Sequence, residues 1–169
     1  NINLGQCYFG LGQIEKAIEY LNKAVELQPN DPELYATLGV ELINNGKYDQ
    51  AIEYLKKALN LDPNSSSVLS MLGDAYNATN YHELAIGYYK KALCVDPDDE
   101  KLYFNIGNAL QADRSLDRAI KSYNQAIHLK PDYVEALVNL GVAQKNKDEF
   151  DASIKTFEQA LKLDPDCAD

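Results

Sequence analysis

Apolar residues recur along this chain at spacings of three and four, with charged and amide residues between them. Leu34, Leu38 and Leu42 make one stripe, and Ile52, Leu55, Leu59 and Leu61 make the next. Leu137 and Leu140, followed by Ile154, Phe157, Leu161 and Leu163, restate the arrangement a hundred residues later. Such spacing gathers apolar side chains on one face of an α-helix. The stripes predict an all-α chain with helices near 2–10 and 14–27, 33–45 and 48–60, 66–79 and 82–94, 100–112 and 116–128, and 134–146 and 150–162.

Capping chemistry agrees with these limits. Asp31 before Pro32 reads as an N-cap with proline at the first helical position, where its missing N–H costs nothing. Asp99 and Asp132 are expected to cap the first helices of later pairs. Pro29, Pro63, Pro97, Pro131 and Pro165 each end a second helix. Gly12 and Gly46 suit a left-handed inner turn. Asn80, Arg114 and Asp148 hold that place later, and Asn tolerates it better than the other two.

These marks keep a step of 34 residues. So do glycines at Gly5, Gly39, Gly73, Gly107 and Gly141, alanines at Ala24, Ala58, Ala92, Ala126 and Ala160, and isoleucines at Ile18, Ile52, Ile86, Ile120 and Ile154. A period of this length marks a solenoid of helix–turn–helix units, each too small to bury a core alone. The glycines fall mid-helix, where glycine costs about 0.8–1.0 kcal/mol against alanine. Their recurrence implies packing: a Cβ there would hold the paired helices apart.

The chain resembles an array of tetratricopeptide repeats. Repeat two carries the motif as Tyr35, Leu38, Gly39, Tyr48, Ala51, Ala58 and Pro63, and repeat four as Tyr103, Ile106, Gly107, Ala119, Tyr123, Ala126 and Pro131. The resemblance implies a right-handed solenoid of antiparallel helix pairs, with repeats at 1–31 (incomplete at its start), 32–65, 66–99, 100–133 and 134–167. Ser153 departs from the alanine at Ala17, Ala51, Ala85 and Ala119, and His82 and Leu116 stand where Tyr48 and Phe150 stand. The start within a helix and the missing polar end-helix suggest a piece of a longer array.

The resemblance also implies where a partner binds. First helices of such repeats line a concave groove that takes an extended peptide or a partner helix. By register the groove is expected to hold Met71, Asp74, Asn77, Lys101, Phe104, Asn105, Asn108, Val138, Asn139 and Val142. An amide donates and accepts, so Asn105, Asn108 and Asn139 can pair with a peptide backbone whatever its sequence. These asparagines are similar to the concave ladder of O-linked N-acetylglucosamine transferases and to the asparagines of peroxisomal import receptors. Thr37 and Met71 interrupt the column. Phe104, Val138, Val142 and Met71 are expected to form shallow apolar pockets. Chaperone-binding members clamp an acidic tail with lysine and arginine; the matching positions here hold only Lys101, which argues against that ligand.

Net charge is −10, with no basic stripe, which argues against nucleic acid. Only repeat four is positive: Lys101, Arg114, Arg118, Lys121 and Lys130 stand against Glu100, Asp113, Asp117 and Asp132. No apolar run is long enough to span a membrane. Cys7, Cys94 and Cys167 lack metal-ligand spacing; the first two read as core or boundary residues, and a reducing, cytoplasmic setting accounts for all three. The sequons at Asn64 and Asn77 are read as chance. No nucleophile–base set, HExxH, phosphate loop or CxxC occurs, so no enzyme activity and no cofactor are expected. Two residues break their columns. Glu41 replaces Cys7, Ala75, Ala109 and Ala143, and either snorkels or is buried with a partner; Gly87 marks either a close backbone approach or drift. The expected function is a protein-interaction scaffold that binds a peptide or helix in its groove. The alternatives are a substrate-presenting arm of a larger enzyme such as a glycosyltransferase, and a structural spacer that joins subunits of a multisubunit complex or self-associates through uncapped ends.

Overall fold

A computed structural model describes residues 1–165, so Cys167 and the acidic tail lie outside the described residues. Ten helices follow one another: α1 (Ile2–Gly10), α2 (Ile14–Leu27), α3 (Pro32–Asn44), α4 (Tyr48–Leu61), α5 (Ser66–Ala78), α6 (His82–Val95), α7 (Glu100–Ala112), α8 (Leu116–Leu129), α9 (Val134–Asn146) and α10 (Phe150–Leu163). The chain divides into two compact units, 1–81 and 82–169. In the first, α1 packs on α2 and α3 on α4, with α2 against α3 and α4 against α5. In the second, α7 packs on α8 and α9 on α10; α6 lies against α7, α8 against α9, and α7 touches α9.

The caps act largely as read. Asp31 accepts from the Glu33 N–H at 2.9 Å, and Asp99 from Lys101 and Leu102 at 2.8 and 3.3 Å. Ser65, which the sequence reading passed over, accepts from the Val68 N–H. Asp132 does not cap: Tyr133 precedes α9 and makes no side-chain cap bond. The step of 34 from Asp31 leads through Ser65 and Asp99 to Tyr133, so Asp132 stands one residue early. All five inner-turn residues are left-handed, with φ of 69° at Gly12, 70° at Gly46, 64° at Asn80, 60° at Arg114 and 61° at Asp148.

The glycine column does what its recurrence implied. A Cβ on Gly5 would lie 2.6 Å from the Leu21 side chain, and one on Gly107 would lie 2.5 Å from the Tyr123 ring. On Gly141 it would lie 2.7 Å from Phe157, and on Gly39 it would strike Leu55. Each glycine therefore lets the second helix of its pair close onto the first. Leu21, Leu38, Leu42 and Leu55 fill the first unit's core, and Tyr89, Leu102 and Tyr123 the second's; all are essentially inaccessible. Ser153 fits the alanine slot because its hydroxyl donates to the Gly141 carbonyl at 2.8 Å.

Several readings need correction. Ile154, Leu161 and Leu163 are exposed at 56%, 39% and 49%. Their stripe matches the one on α4, where α5 lies against the helix and Ile52 is buried; Leu61, the counterpart of Leu163, is exposed there too, at 40%, so that helix end lies outside the packed face in both. Cys7 and Cys94 are exposed rather than core or boundary residues. Cys7 lies on α1, which packs on α2 among the described helices, and Cys94 shares its register with the polar Glu26, Asn60 and His128. Glu41 is half-buried, so its side chain is not enclosed. A Cβ on Gly87 would meet nothing within 4 Å, so no close backbone approach occurs there.

Candidate groove of the second unit

The α7–α8–α9 segment brings part of the expected site together. Asn108 and Asn139 lie on successive first helices, and the Asn139 Nδ2 donates to the Asn108 Oδ1 at 2.8 Å. The same oxygen accepts from the Tyr123 hydroxyl at 2.8 Å, and the Gln111 Oε1 lies 3.2 Å from that hydroxyl. One proton serves the Tyr123 oxygen, so the shorter bond to Asn108 holds it and Gln111 stands as the alternative acceptor. With the amides turned this way, Asn108 keeps its Nδ2 and Asn139 its Oδ1 for other partners. Burial pushes the Tyr123 phenol well above its ordinary range, so it stays a neutral donor.

Tyr123 reaches this place because its helix packs so closely on α7. Its ring lies over Gly107, and the hydroxyl at the ring's far end emerges beside Asn108 and Gln111. Phe104 lies 6.0 Å from the Tyr123 ring and 5.1 Å from the Tyr133 ring, centroid to centroid, both tilted. The Lys130 ammonium sits 5.0 Å over the other side of this cluster, at Tyr133. Burial is the chief cause that raises the Tyr133 phenol above its ordinary value, and nearby Glu135, Glu100 and Asp99 add to it.

Among the other expected residues, Asn105, Val138 and Val142 are half-buried and Lys101 is exposed. Phe104 is also half-buried, and part of its surface is engaged by the two tyrosines. Met71, Asp74 and Asn77 all belong to α5 in the first unit; Asp74 is exposed and the other two are half-buried. The sequence reading placed Gln111 in the groove by register and missed Tyr123 and Tyr133 as groove chemistry. Tyr123 shares its register with Leu21, Leu55, Tyr89 and Phe157, so it reads as core.

A cleft of about 590 Å³ opens at the turn end of this segment, lined by Asn108, Gln111, Ala112, Arg114, Leu116, Tyr123 and Asn146. No carboxylate lines it. Arg118 pairs with Glu83 at 3.3 Å, and Lys147 with Asp117 at 2.7 Å and Glu149 at 2.6 Å. Arg114 makes no ion pair among the described residues. Among those residues no cluster of histidine, cysteine and carboxylates could hold a metal, and no helix is long and apolar enough to cross a membrane.

Comparison with known proteins fits this architecture. One tetratricopeptide repeat model matches residues 2–31, 32–65 and 134–167, and a second repeat model matches 73–113 and 115–148. No curated protein sequence matches. A crystal structure of MamA is 27% identical, with a TM-score of 0.89 over 99% of this chain and 98% of its own. MamA from Desulfovibrio magneticus RS-1 is 25% identical, with a TM-score of 0.87 over 99% of this chain and 94% of its own. YrrB, a repeat protein with an unusual peptide-binding site, is 23% identical, with a TM-score of 0.79 over 98% of this chain and 85% of its own, a likeness of fold. The fold is thus the right-handed solenoid of helix pairs used by protein-interaction scaffolds, and the chain belongs to the tetratricopeptide repeat family.

Proposed function

We propose that this protein binds an extended peptide along the face shared by α7 and α9, reading its backbone through Asn108 and Asn139. The observation that carries the reading is the 2.8 Å bond between those two amides, anchored by Tyr123. The bond leaves a donor on one repeat and an acceptor on the next. A peptide unit carries the complementary pair, a carbonyl and an N–H, irrespective of side chain. Holding both amides in place beforehand lowers the ordering cost of binding. Val138 and Val142 on α9 supply apolar contact, Phe104 the aromatic edge, and Lys101 and Asn105 flank the run on α7. Met71, Asp74 and Asn77 offer a similar mixed surface on α5. A protein of the same fold, YrrB, has a peptide-binding site.

The test is capture of peptides from a random dodecamer pool by the immobilised protein, repeated with Asn108→Ala plus Asn139→Ala. Gln111 can take the Tyr123 proton in that variant, so the packing of α8 on α7 is expected to survive. Circular dichroism at 222 nm checks this. Peptides captured by the native protein and lost by the folded variant support the backbone reading. Peptides retained by the variant at native affinity sink it.

A further inference from the structure

We infer that the cleft beside Asn108 is an anchor for a carboxylate of the bound peptide, gripped by Arg114. This rests on the groove reading above, since the cleft shares Asn108 with the proposed backbone site. A peptide that reaches Asn108 continues into a space walled by Gln111, Arg114, Tyr123 and Asn146, and floored on one side by Leu116.

Three observations point to an anion there. The first is donor chemistry: Arg114, whose guanidinium is always charged and forked, lines the cleft together with Asn108, Gln111 and Asn146, and no carboxylate does. That set matches a carboxylate's paired oxygens. The second is that this cation is unspent. Arg118 and Lys147 are neutralised by Glu83, Asp117 and Glu149, whereas Arg114 has no ion pair among the described residues. Asp113 accepts from the Ser115 hydroxyl at 3.1 Å and does not line the cleft. The third is the turn itself. Arg114 holds φ of 60° where two other repeats place glycine, one asparagine and one aspartate. A left-handed arginine is held at a conformational cost that glycine would avoid, which points to a use for its side chain. The surrounding charge adds direction. Repeat four is the one positive stretch of a chain with net charge −10, so an acidic ligand is repelled elsewhere and drawn here.

The carboxylate can be a peptide's C-terminus or an aspartate or glutamate side chain, and the experiment separates them. Two random dodecamer pools, one ending in a free acid and one in an amide, are passed over the native protein, Arg114→Gly and Arg114→Gln. Captured peptides are identified by mass spectrometry. Glycine suits the turn, so Arg114→Gly is expected to fold at least as well as the native chain. Capture confined to the free-acid pool identifies the C-terminus. Enrichment of aspartate and glutamate at one position in both pools identifies a side chain. In either case both variants are expected to bind the selected peptides about tenfold more weakly, with a shallower salt dependence. Selected peptides that bind the native protein and both variants equally overturn the anchor and leave the groove reading standing. A native protein that captures nothing from either pool overturns both.

Discussion

Two glycine-to-alanine substitutions in the second unit are expected to move stability in opposite directions. Both positions are inside helices, Gly87 in α6 and Gly107 in α7. Alanine is favoured over glycine within a helix by about 0.8–1.0 kcal/mol. At Gly87 the added methyl meets nothing within 4 Å, so the full gain is expected. At Gly107 the methyl would lie 2.5, 2.6 and 2.9 Å from three carbons of the Tyr123 ring. Carbon atoms pack at about 3.5–4.0 Å. The ring or the helix must therefore retreat by about 1 Å, and the fully buried Tyr123 has no empty space to retreat into. Forcing a methyl into a packed core costs about 1–3 kcal/mol. This clash involves three ring atoms and disturbs the hydroxyl bond to Asn108, so the upper end applies, and the net loss is about 2 kcal/mol after the helix gain.

Thermal unfolding followed at 222 nm reads both. In a chain of this size about 1 kcal/mol moves the midpoint by about 2–4 °C. Gly87→Ala is expected to raise it by that amount, and Gly107→Ala to lower it by about 4–8 °C. A Gly107→Ala protein that melts at or above the native temperature would refute the packing account, because helix propensity alone would then govern the column. A Gly87→Ala protein that melts lower would show a contact absent from this structure.

Two further outcomes follow from the same unit. Replacing Arg114 by glycine relieves a left-handed arginine and is expected to raise stability by about 1 kcal/mol, less the extra entropy of an unfolded glycine; an unchanged or lower urea midpoint would contradict it. The Tyr123 phenol is held above its ordinary value of 10.0 by burial, so its contribution is complete below pH 10 and is lost as pH rises from there towards the folded value. Tyr123→Phe is expected to make the alkaline fall of the melting midpoint less steep and to remove one late-titrating tyrosine from the absorbance at 295 nm, leaving Tyr133 among those raised; an unaltered alkaline limb would refute the buried, neutral phenol.

The helices were legible because their signals are local and redundant. Stripe, cap, turn and terminating proline each mark nearly the same boundary, and the expected limits differ from the observed ones by a residue, as at Pro32 and Ala78. The failures arise where burial depends on something outside the segment. Ile154 carries the same pattern as Ile52, but a stripe records which face is apolar and not whether a neighbour covers it. Cys7 fails for the same reason. Asp132 fails because residue type was weighed above register: an aspartate one position early cannot reach the amides that Asp31 and Asp99 reach.

The site was legible on one helix and hidden on the other, and the glycine column explains both. Register assigns Asn108 and Asn139 to the face of the first helices, and there they bond to each other. Register equally assigns position 123 to the core of the second helix, where Leu21, Leu55, Tyr89 and Phe157 stand in other repeats. Leu21, Leu55 and Phe157 end in carbon, so their close approach over glycine yields only packing. In repeat four the residue over the glycine is tyrosine, and the missing Cβ of Gly107 lets its ring pass across so that the buried hydroxyl donates to Asn108. Phe157 crosses Gly141 in the same way without a hydroxyl, and the register counterpart of Asn108 there is the apolar Val142. The side chain of Asn108 is therefore held by a second-helix residue, through a gap that a glycine keeps open. Gly107→Ala should accordingly release the orientation of Asn108 as well as loosen the core, which ties the packing of the repeat to the chemistry of its face.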